Sequence, residues 1–156
     1  MTVTTITTNT FLSDLIIFIR DDLLSNLTDP ISASRMAGRD FKFVQTSYPT
    51  RETQYPIITV IDRNSKFNRL GMRSTQMSCT INIEVRVWGL KVEDKDELSQ
   101  QIINWFRSNQ FSGSKHSDTV GFHDLSITSM VNVDEPGENG VKSKVITIGG
   151  LLIIGG

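Results

Sequence analysis

The segment from Cys79 to Phe106 changes its hydrophobic period halfway along, and this change constrains the fold more than any other feature of the sequence. Its first half alternates polar residues with β-branched ones, which are Ile81, Ile83, Val85 and Val87. A period of two is typical of a strand that buries one face. Its second half repeats large apolar residues at helical spacing: Leu98, Ile102, Trp105 and Phe106. The segment therefore predicts a strand, a turn and a helix that share one core.

Acidic residues open the predicted helix, and they are Glu93, Asp94, Asp96 and Glu97. Asp94 followed by Glu97 is typical of a helix start, because the Asp94 oxygen can accept hydrogen bonds from free N–H groups of the first turn. Acidic side chains are also favourable at the positive end of the helix dipole. We therefore expect these residues to cap the helix rather than to bind a cation.

The length and charge of the chain argue against several classes of protein. Its 156 residues suffice for one domain whose core needs no disulfide or metal. Sixteen basic and seventeen acidic residues leave the chain nearly neutral, so no overall field favours nucleic acid or an anionic membrane. The opening residues, MTVTTITTNT, lack the features of a signal peptide, and no apolar run reaches the roughly 18 residues of a membrane helix. We expect a soluble intracellular protein.

Residues 1–10 are rich in threonine and are predicted to form a flexible arm or an extra edge strand, because β-branched residues lose side-chain freedom in helices. Thr10 can cap a helix that ends at Asp29-Pro30. The apolar stripe of this helix consists of Leu12, Leu15, Ile16, Ile19, Leu23 and Leu27. Three further apolar residues lie off the stripe: Ile17, Phe18 and Leu24. They indicate either a contact with a neighbouring subunit or a helix buried deeply in its own domain.

Two strands and a basic loop are predicted between residues 41 and 76. The first strand begins with Phe41 and Phe43, the segment SYPTRETQYP is interpreted as a hairpin connection, and Pro56 begins the second strand, PIITVID. The segment from residue 63 to residue 76 is predicted to be a long exposed loop. It contains no acid and four basic residues: Arg63, Lys66, Arg69 and Arg73. We interpret it either as a solvated loop or as a docking loop for a phosphate backbone or an acidic protein surface.

The C-terminal part is predicted to be a hairpin. Apolar residues at period two mark its first strand, and they are Leu125, Ile127, Val131 and Val133. The turn contains Asn139-Gly140, which is suited to positive φ, and the chain returns as KVITIGGLLII, in which Gly149 and Gly150 are expected to mark a bulge or a bend. The predicted fold class is α+β: a single domain over residues 11–156, with a mostly antiparallel sheet of four to five strands packed against two helices.

The sequence contains no recognisable catalytic, metal-binding or cofactor-binding motif. His116 and His123 are not accompanied by cysteines or carboxylates at metal-ligand spacing. Cys79, the only cysteine, has the parity of Ile81 and is expected to be a buried apolar residue. No phosphate-binding loop, G-x-S-x-G elbow or H-E-x-x-H helix is present. We therefore predict no catalytic residue, metal or cofactor; the alternative is an enzyme whose catalytic groups meet only in space.

Glu84, Arg86 and Trp88 share the polar face of the strand predicted around Val85, and we expect that face to meet water in the monomer. A large aromatic residue on such a face indicates an interface, since tryptophan and arginine are enriched where interfaces concentrate their energy. The alternative is a tryptophan folded over the edge of the sheet.

Three stretches of the sequence have a familiar order and spacing: FVQTSYPTRETQYPIITV, INIEVRVWGLKVEDKDELSQQIINWF and GGLLII. They resemble tail terminator proteins, also called tail-completion or tail-to-head joining proteins, of long-tailed phages and related viruses. In that family an N-terminal helix precedes a strand led by Tyr-Pro, and a strand of the I-x-V-x-V-W kind runs into a helix with an acidic start. The resemblance extends from Phe11 to about Ile154.

The resemblance implies a structural virion protein without an active site. It implies a ring, typically of six copies, that caps the tail tube, ends its polymerisation and joins the tail to the head. The implied partners are further copies of the chain, the tail-tube protein, the head-connector protein and, in a contractile tail, the sheath protein, while DNA passes through the lumen without sequence-specific binding. Two other classes remain open: another head-tail connector or tube-like subunit, and a small nucleic-acid-binding module that uses the basic residues 63–73.

Overall fold

Two helices and six strands make up the part of the chain that this computed structural model describes, which is residues 11–32, 43–48, 54–73, 76–109, 122–134 and 140–154. The helices are α1 (Phe11–Asn26) and α2 (Val92–Asn109). The strands are β1 (Val44–Gln45), β2 (Ile57–Asp62), β3 (Lys66–Arg69), β4 (Met77–Gly89), β5 (Phe122–Asp134) and β6 (Lys142–Ile154). The predicted α+β single-domain fold is confirmed, with six strands where four to five were expected. The predicted arm, residues 1–10, lies outside the described residues.

The sheet is centred on the antiparallel pair of β4 and β6. Its strand order is β1-β2-β4-β6-β5, and β3 also pairs with β4. The two central strands pair without a break along thirteen residues, from Met77 opposite Ile154 to Gly89 opposite Lys142. The hairpin predicted at the C-terminus is confirmed as β5 and β6, and Gly140 before β6 has a φ of 64°, as its turn position predicted.

The first long hairpin contains a bulge where we expected a loop. β2 and β3 both run antiparallel to β4, and the three residues 63–65 lie between Asp62, opposite Ile83, and Lys66, opposite Thr80. Since only two residues of β4 face these three, the segment is a β-bulge and the strand continues beyond it. The prediction of a loop from residue 63 to residue 76 was therefore wrong for β3, because its backbone finds hydrogen-bonding partners in the first residues of β4.

The connection between β1 and β2 is also different from the prediction. Val44 pairs with Ile58 and Gln45 with Thr59 in parallel register, so SYPTRETQYP does not form the predicted hairpin. A parallel pair needs a connection of about a dozen residues. The eleven residues 46–56 are long enough to return the chain to the start of the neighbouring strand.

One face of the sheet carries the core, as the alternation in β4 predicted. Ile81, Ile83, Val85 and Val87 are each at most 1% exposed. Directly opposed residues of an antiparallel pair lie on the same face, which places Ile146 and Ile148 of β6 in the same core. α1 packs against this core over β1 and β2, and α2 packs over β4 and β6.

Both helices were predicted, although α1 ends at Asn26 rather than at Asp29-Pro30, and the predicted cap Thr10 lies outside the described residues. The buried stripes consist of Leu15, Ile19 and Leu23 in α1 and of Leu98, Ile102 and Trp105 in α2. Trp105 also joins the helices, because its Nε1 donates a hydrogen bond to Asp22 Oδ2 at 2.7 Å. The prediction that Asp94 caps α2 was wrong: the helix begins at Val92, because the chain turns into it directly after Gly89 and Leu90.

The bulge predicted from Gly149 and Gly150 lies in the strand opposite them. The register of β5 shifts between His123 and Ser126 and again between Ile127 and Ser129. A Cβ atom on Gly149 would lie 2.9 Å from Thr128 Cγ2, so the missing side chain leaves room for the bulged residue.

We expect Ile83→Asp to lower the free energy of unfolding by several kcal/mol, because it places an unpaired carboxylate at a position that is 1% exposed. Thr80→Asp changes an exposed residue of the same strand and is the matched control, with an expected effect below about 1 kcal/mol. Urea denaturation followed by tryptophan fluorescence measures both. Equal destabilisation by the two variants would contradict the assignment of the buried face.

Candidate interaction surfaces

The polar face of β4 is largely covered by its own side chains. Glu84 is only 3% exposed and forms an ion pair with Arg63, which lies in the bulge after β2. Arg86 lies over the indole of Trp88, with its guanidinium carbon 4.0 Å from the ring centroid. The prediction that this face meets water in the monomer was therefore wrong for Glu84, while Arg86 and Trp88 are half-buried. The reason is that long side chains on neighbouring strands lie along the sheet and pair with one another.

Trp88 is held by contacts within the chain. Its Nε1 donates a hydrogen bond to Thr59 Oγ1 at 3.1 Å, and the ring of Tyr48 meets it edge-on with centroids 4.9 Å apart. This arrangement fits a tryptophan that packs over the edge strands better than it fits an exposed anchor for a partner.

A line of hydrogen bonds continues from Arg86 across the sheet. Arg86 Nη2 donates to Ser143 Oγ at 2.9 Å, and Ser143 Oγ donates to the carbonyl oxygen of Val133 at 2.7 Å. Ser143 is 1% exposed. The network joins β4, β6 and β5 and therefore stabilises the sheet. Thr59, Tyr48 and Ser143 were not predicted from the sequence, because their hydrogen-bonding and ring partners lie on other strands and no neighbouring residue indicates them.

The apolar residues that lie off the stripe of α1 are on the opposite side of the sheet from this network. Phe18 and Leu24 pack against the core cluster, and Ile17 is half-buried outside it. Among the described residues of α1, no large apolar side chain is exposed. Two of the three residues are therefore explained by burial within the domain, and the predicted interface residues do not form one surface.

The sheet extends past α2 at the end where β3 and β4 are joined. The eighteen residues of α2 span about 27 Å, whereas the thirteen of β4 span about 43 Å. Four apolar side chains are exposed at this end, Phe67 (47%), Leu70 (50%), Met72 (97%) and Met77 (37%). We call these residues, together with Lys66, Arg69 and Arg73, the hairpin end.

Three of the four predicted basic residues remain at the hairpin end. Arg63 binds Glu84, but within the described chain no acidic side chain forms an ion pair with Lys66, Arg69 or Arg73. The exposed apolar residues beside them were missed. The sequence indicates only Met77 among them, because Met77 continues the apolar alternation of Cys79 and Ile81 two residues further towards the N-terminus.

The opposite end of the sheet, where β4 turns into α2, carries charges of both signs, since Lys91 is exposed there and Lys142 Nζ donates a hydrogen bond to the carbonyl oxygen of Leu90. Leu90 is 51% exposed and Val92 is 46% exposed, and the acidic residues Glu93 and Glu97 beside them are exposed. We call these four residues the acidic end. We do not include Asp96, because its charge is paired within the domain. The ammonium group of Lys144 lies 2.8 Å from its carboxylate and lowers the pKa of that carboxyl.

β5 forms one edge of the sheet and pairs only with β6. Met130 is 46% exposed and Val131 is 53% exposed. Lys95, which is 4% exposed on α2, donates a hydrogen bond to Asn132 Oδ1 at 3.1 Å and so ties this edge to the helix. The outer side of β5 is the longest open strand edge in the described structure.

The described chain also contains a groove between the helices and a buried thiol. A shallow groove of about 280 Å³ between the helices is lined by amide, hydroxyl and indole groups of Asn26, Gln101, Asn104, Trp105 and Ser108. Cys79 is fully buried as predicted, and burial raises the pKa of its thiol. In the described ranges no three histidine, cysteine or acidic side chains are grouped to hold a metal, and no described helix is long and apolar enough to cross a membrane.

The sequence was compared with models of known protein families and with curated proteins. No family model matches the chain, and no curated protein matches it either.

We expect Glu84→Lys to lower the free energy of unfolding by about 1–3 kcal/mol, because it places a cation beside Arg63 at a site that is 3% exposed. Glu97→Lys makes the same change on the exposed surface of α2 and should leave the stability nearly unchanged. Urea denaturation measures the difference. Similar free energies of unfolding for the two variants would contradict the burial of Glu84 and its pairing with Arg63.

The two tyrosines provide a test that depends on pH. Burial, with the hydrogen bond between the hydroxyls of Tyr55 and Tyr48, raises the pKa of Tyr55 to about 12. Because this folded-state pKa is above the ordinary value of 10.0, the neutral phenol contributes stability below pH 10 that is lost as the pH rises towards 12. In Tyr48→Phe, the pKa of Tyr55 should fall but remain above 10, since burial is the larger cause. Ultraviolet titration of the phenolate measures it, and an unchanged pKa would contradict a contribution from Tyr48.

Proposed function

We propose that this chain is a tail terminator: a structural virion protein that forms a ring at the end of a viral tail tube, ends tube polymerisation and joins the tail to the head connector. The observation that carries the proposal is the pair of unlike ends of the sheet. The hairpin end is basic and apolar, and the acidic end lies at the other end of the same strand, about 43 Å away.

Two unlike ends suit a protein that stands between two different assemblies. A tube end presents a subunit interface that continues to accept copies until a protein with one matching face and one non-matching face occupies it. The hairpin end and the acidic end thus support separate contacts with the tube and with the connector; which end meets which partner is open.

The sides of the sheet are then left for contacts within the ring. A closed ring requires a heterologous contact, in which one patch of a copy meets a different patch of the next. The two edges of this sheet are different, since one is formed by β5 and the other by β1 and β3. The number of copies, six, is taken from the resemblance, as are the location in the neck of the virion and the passage of DNA through the lumen.

A nucleic-acid-binding module is the second candidate, and one observation favours it. Lys66, Arg69 and Arg73 lie together on an exposed hairpin without a described acidic partner. However, Phe67, Leu70 and Met72 are exposed beside them, and such apolar side chains suit a protein surface better than a phosphate backbone. Binding of the isolated protein to DNA that weakens steeply with salt would favour the module.

A virus that lacks this protein should still make filled heads and tail tubes, because each assembles through its own subunit contacts. The two should fail to join, and the tubes should lose their uniform length. Electron microscopy of the mutant lysate measures both outcomes. Addition of the purified protein should cap the tubes and restore joining, whereas tails of normal length attached to heads in its absence would contradict the proposal.

A further inference from the structure

Within the described structure the outer side of β5 is an open strand edge, and after its two bulges the strand keeps a regular register with β6 from Ser129 to Asp134. β5 is thirteen residues long, and within the described structure its only backbone partner strand is β6. Between Asp124 and Asp134 it contains neither a charged residue nor a proline. Natural sheets usually protect a long edge with lysine, proline or a covering element, because an open row of N–H and C=O groups pairs with other chains.

The strand β3 on the opposite side of the sheet carries charged residues, in contrast to β5. β3 is an edge strand of four exposed residues, and two of them are Lys66 and Arg69. On β5 the exposed side chains include Met130 and Val131, which contribute apolar surface beside the open backbone. β5 is therefore suited to accept one more strand, with main-chain hydrogen bonds supplying the affinity.

The chain itself contains a segment of matching chemistry. Residues 2–8 read TVTTITT, so all seven are β-branched and none is charged. They precede α1 and fit within the nine residues of β5 between its two aspartates. No other stretch of seven residues outside the described ranges has this composition.

The position of α1 indicates which copy supplies this segment. α1 packs over β1 and β2, at the side of the sheet opposite β5. In a ring that closes sideways, the β1 side of one copy faces the β5 side of the next, which brings the start of a neighbouring α1 beside β5.

We propose that residues 2–8 of one copy pair as an additional strand with β5 of the neighbouring copy. This inference rests on the proposed ring and adds the contact that closes it. The added strand satisfies the open edge of β5 only in the assembly, with main-chain hydrogen bonds between the two copies.

Disulfide cross-linking tests the contact directly. A full-length Thr5→Cys chain is mixed with a full-length Ser129→Cys chain of different mass and oxidised, and Cys79 does not interfere because it is buried. We expect a cross-linked pair of the two different chains on a non-reducing gel. Thr5→Cys mixed with Gln100→Cys, which is on the exposed side of α2, is the matched control and should cross-link far less.

Self-association gives a second readout that is independent of cysteine chemistry. Deletion of residues 2–8, or Val131→Lys on the exposed edge, should weaken ring formation several-fold in analytical ultracentrifugation and leave the urea midpoint unchanged. Ser32→Lys, at an exposed position away from the edge, should leave ring formation unchanged.

The outcomes separate this inference from the proposed function. Rings that form equally well in the deletion variant, or assembled rings in which the Thr5→Cys and Ser129→Cys chains do not cross-link more than the control pair, would overturn the strand exchange and leave the ring in place. A wild-type chain that stays monomeric both alone and with tail tubes would overturn the proposed function, and with it the inference.

Discussion

The unbroken pairing of β4 with β6 is the constraint on which the rest of the structure depends. Each of these strands is also one arm of a long hairpin, so their register places β2 and β3 on one side and β5 on the other. The same register sets which residues form the core and which form the polar network, because a shift by one residue would exchange the two faces. The length of the pair exceeds that of α2, which leaves one end of the sheet beyond the helix.

The polar network explains why the most obvious candidate surface is not the best one. Glu84, Arg86 and Trp88 have the residue types of an interface, yet their charged and aromatic groups are satisfied within the domain. A partner would have to displace these contacts to reach them, at a cost in desolvation and lost hydrogen bonds. Exposed apolar and charged side chains lie elsewhere, at the hairpin end, at the acidic end and along β5, and the functional proposals follow from that distribution.

The sequence predicts those parts of the fold whose signal is local and periodic. The alternation from Ile81 to Val87 and the stripes of the two helices depend only on the period of each element, and the structure confirms them. β3 has no such signal, because KFNR contains one apolar residue and therefore no alternation, and it becomes a strand through pairing with Met77 to Thr80. The burial of Glu84 could not be predicted from the sequence either, since a carboxylate is ordinarily exposed and only the fold brings Arg63 to it.

The bulge at residues 63–65 connects the buried network with the exposed hairpin end. Arg63 follows the alternation of β2 onto the face of Glu84, where the two side chains pair. The extra residue then reverses the alternation, so that Phe67 lies opposite Cys79 on the face of the core, and Arg69 lies opposite Met77 on the same face. Without it, Phe67 would lie on the other face and the apolar residues of the hairpin end would be divided between two surfaces. The inserted residue thus places Phe67, Arg69 and Met77 on one face of the sheet, where exposed apolar side chains and a basic one lie side by side.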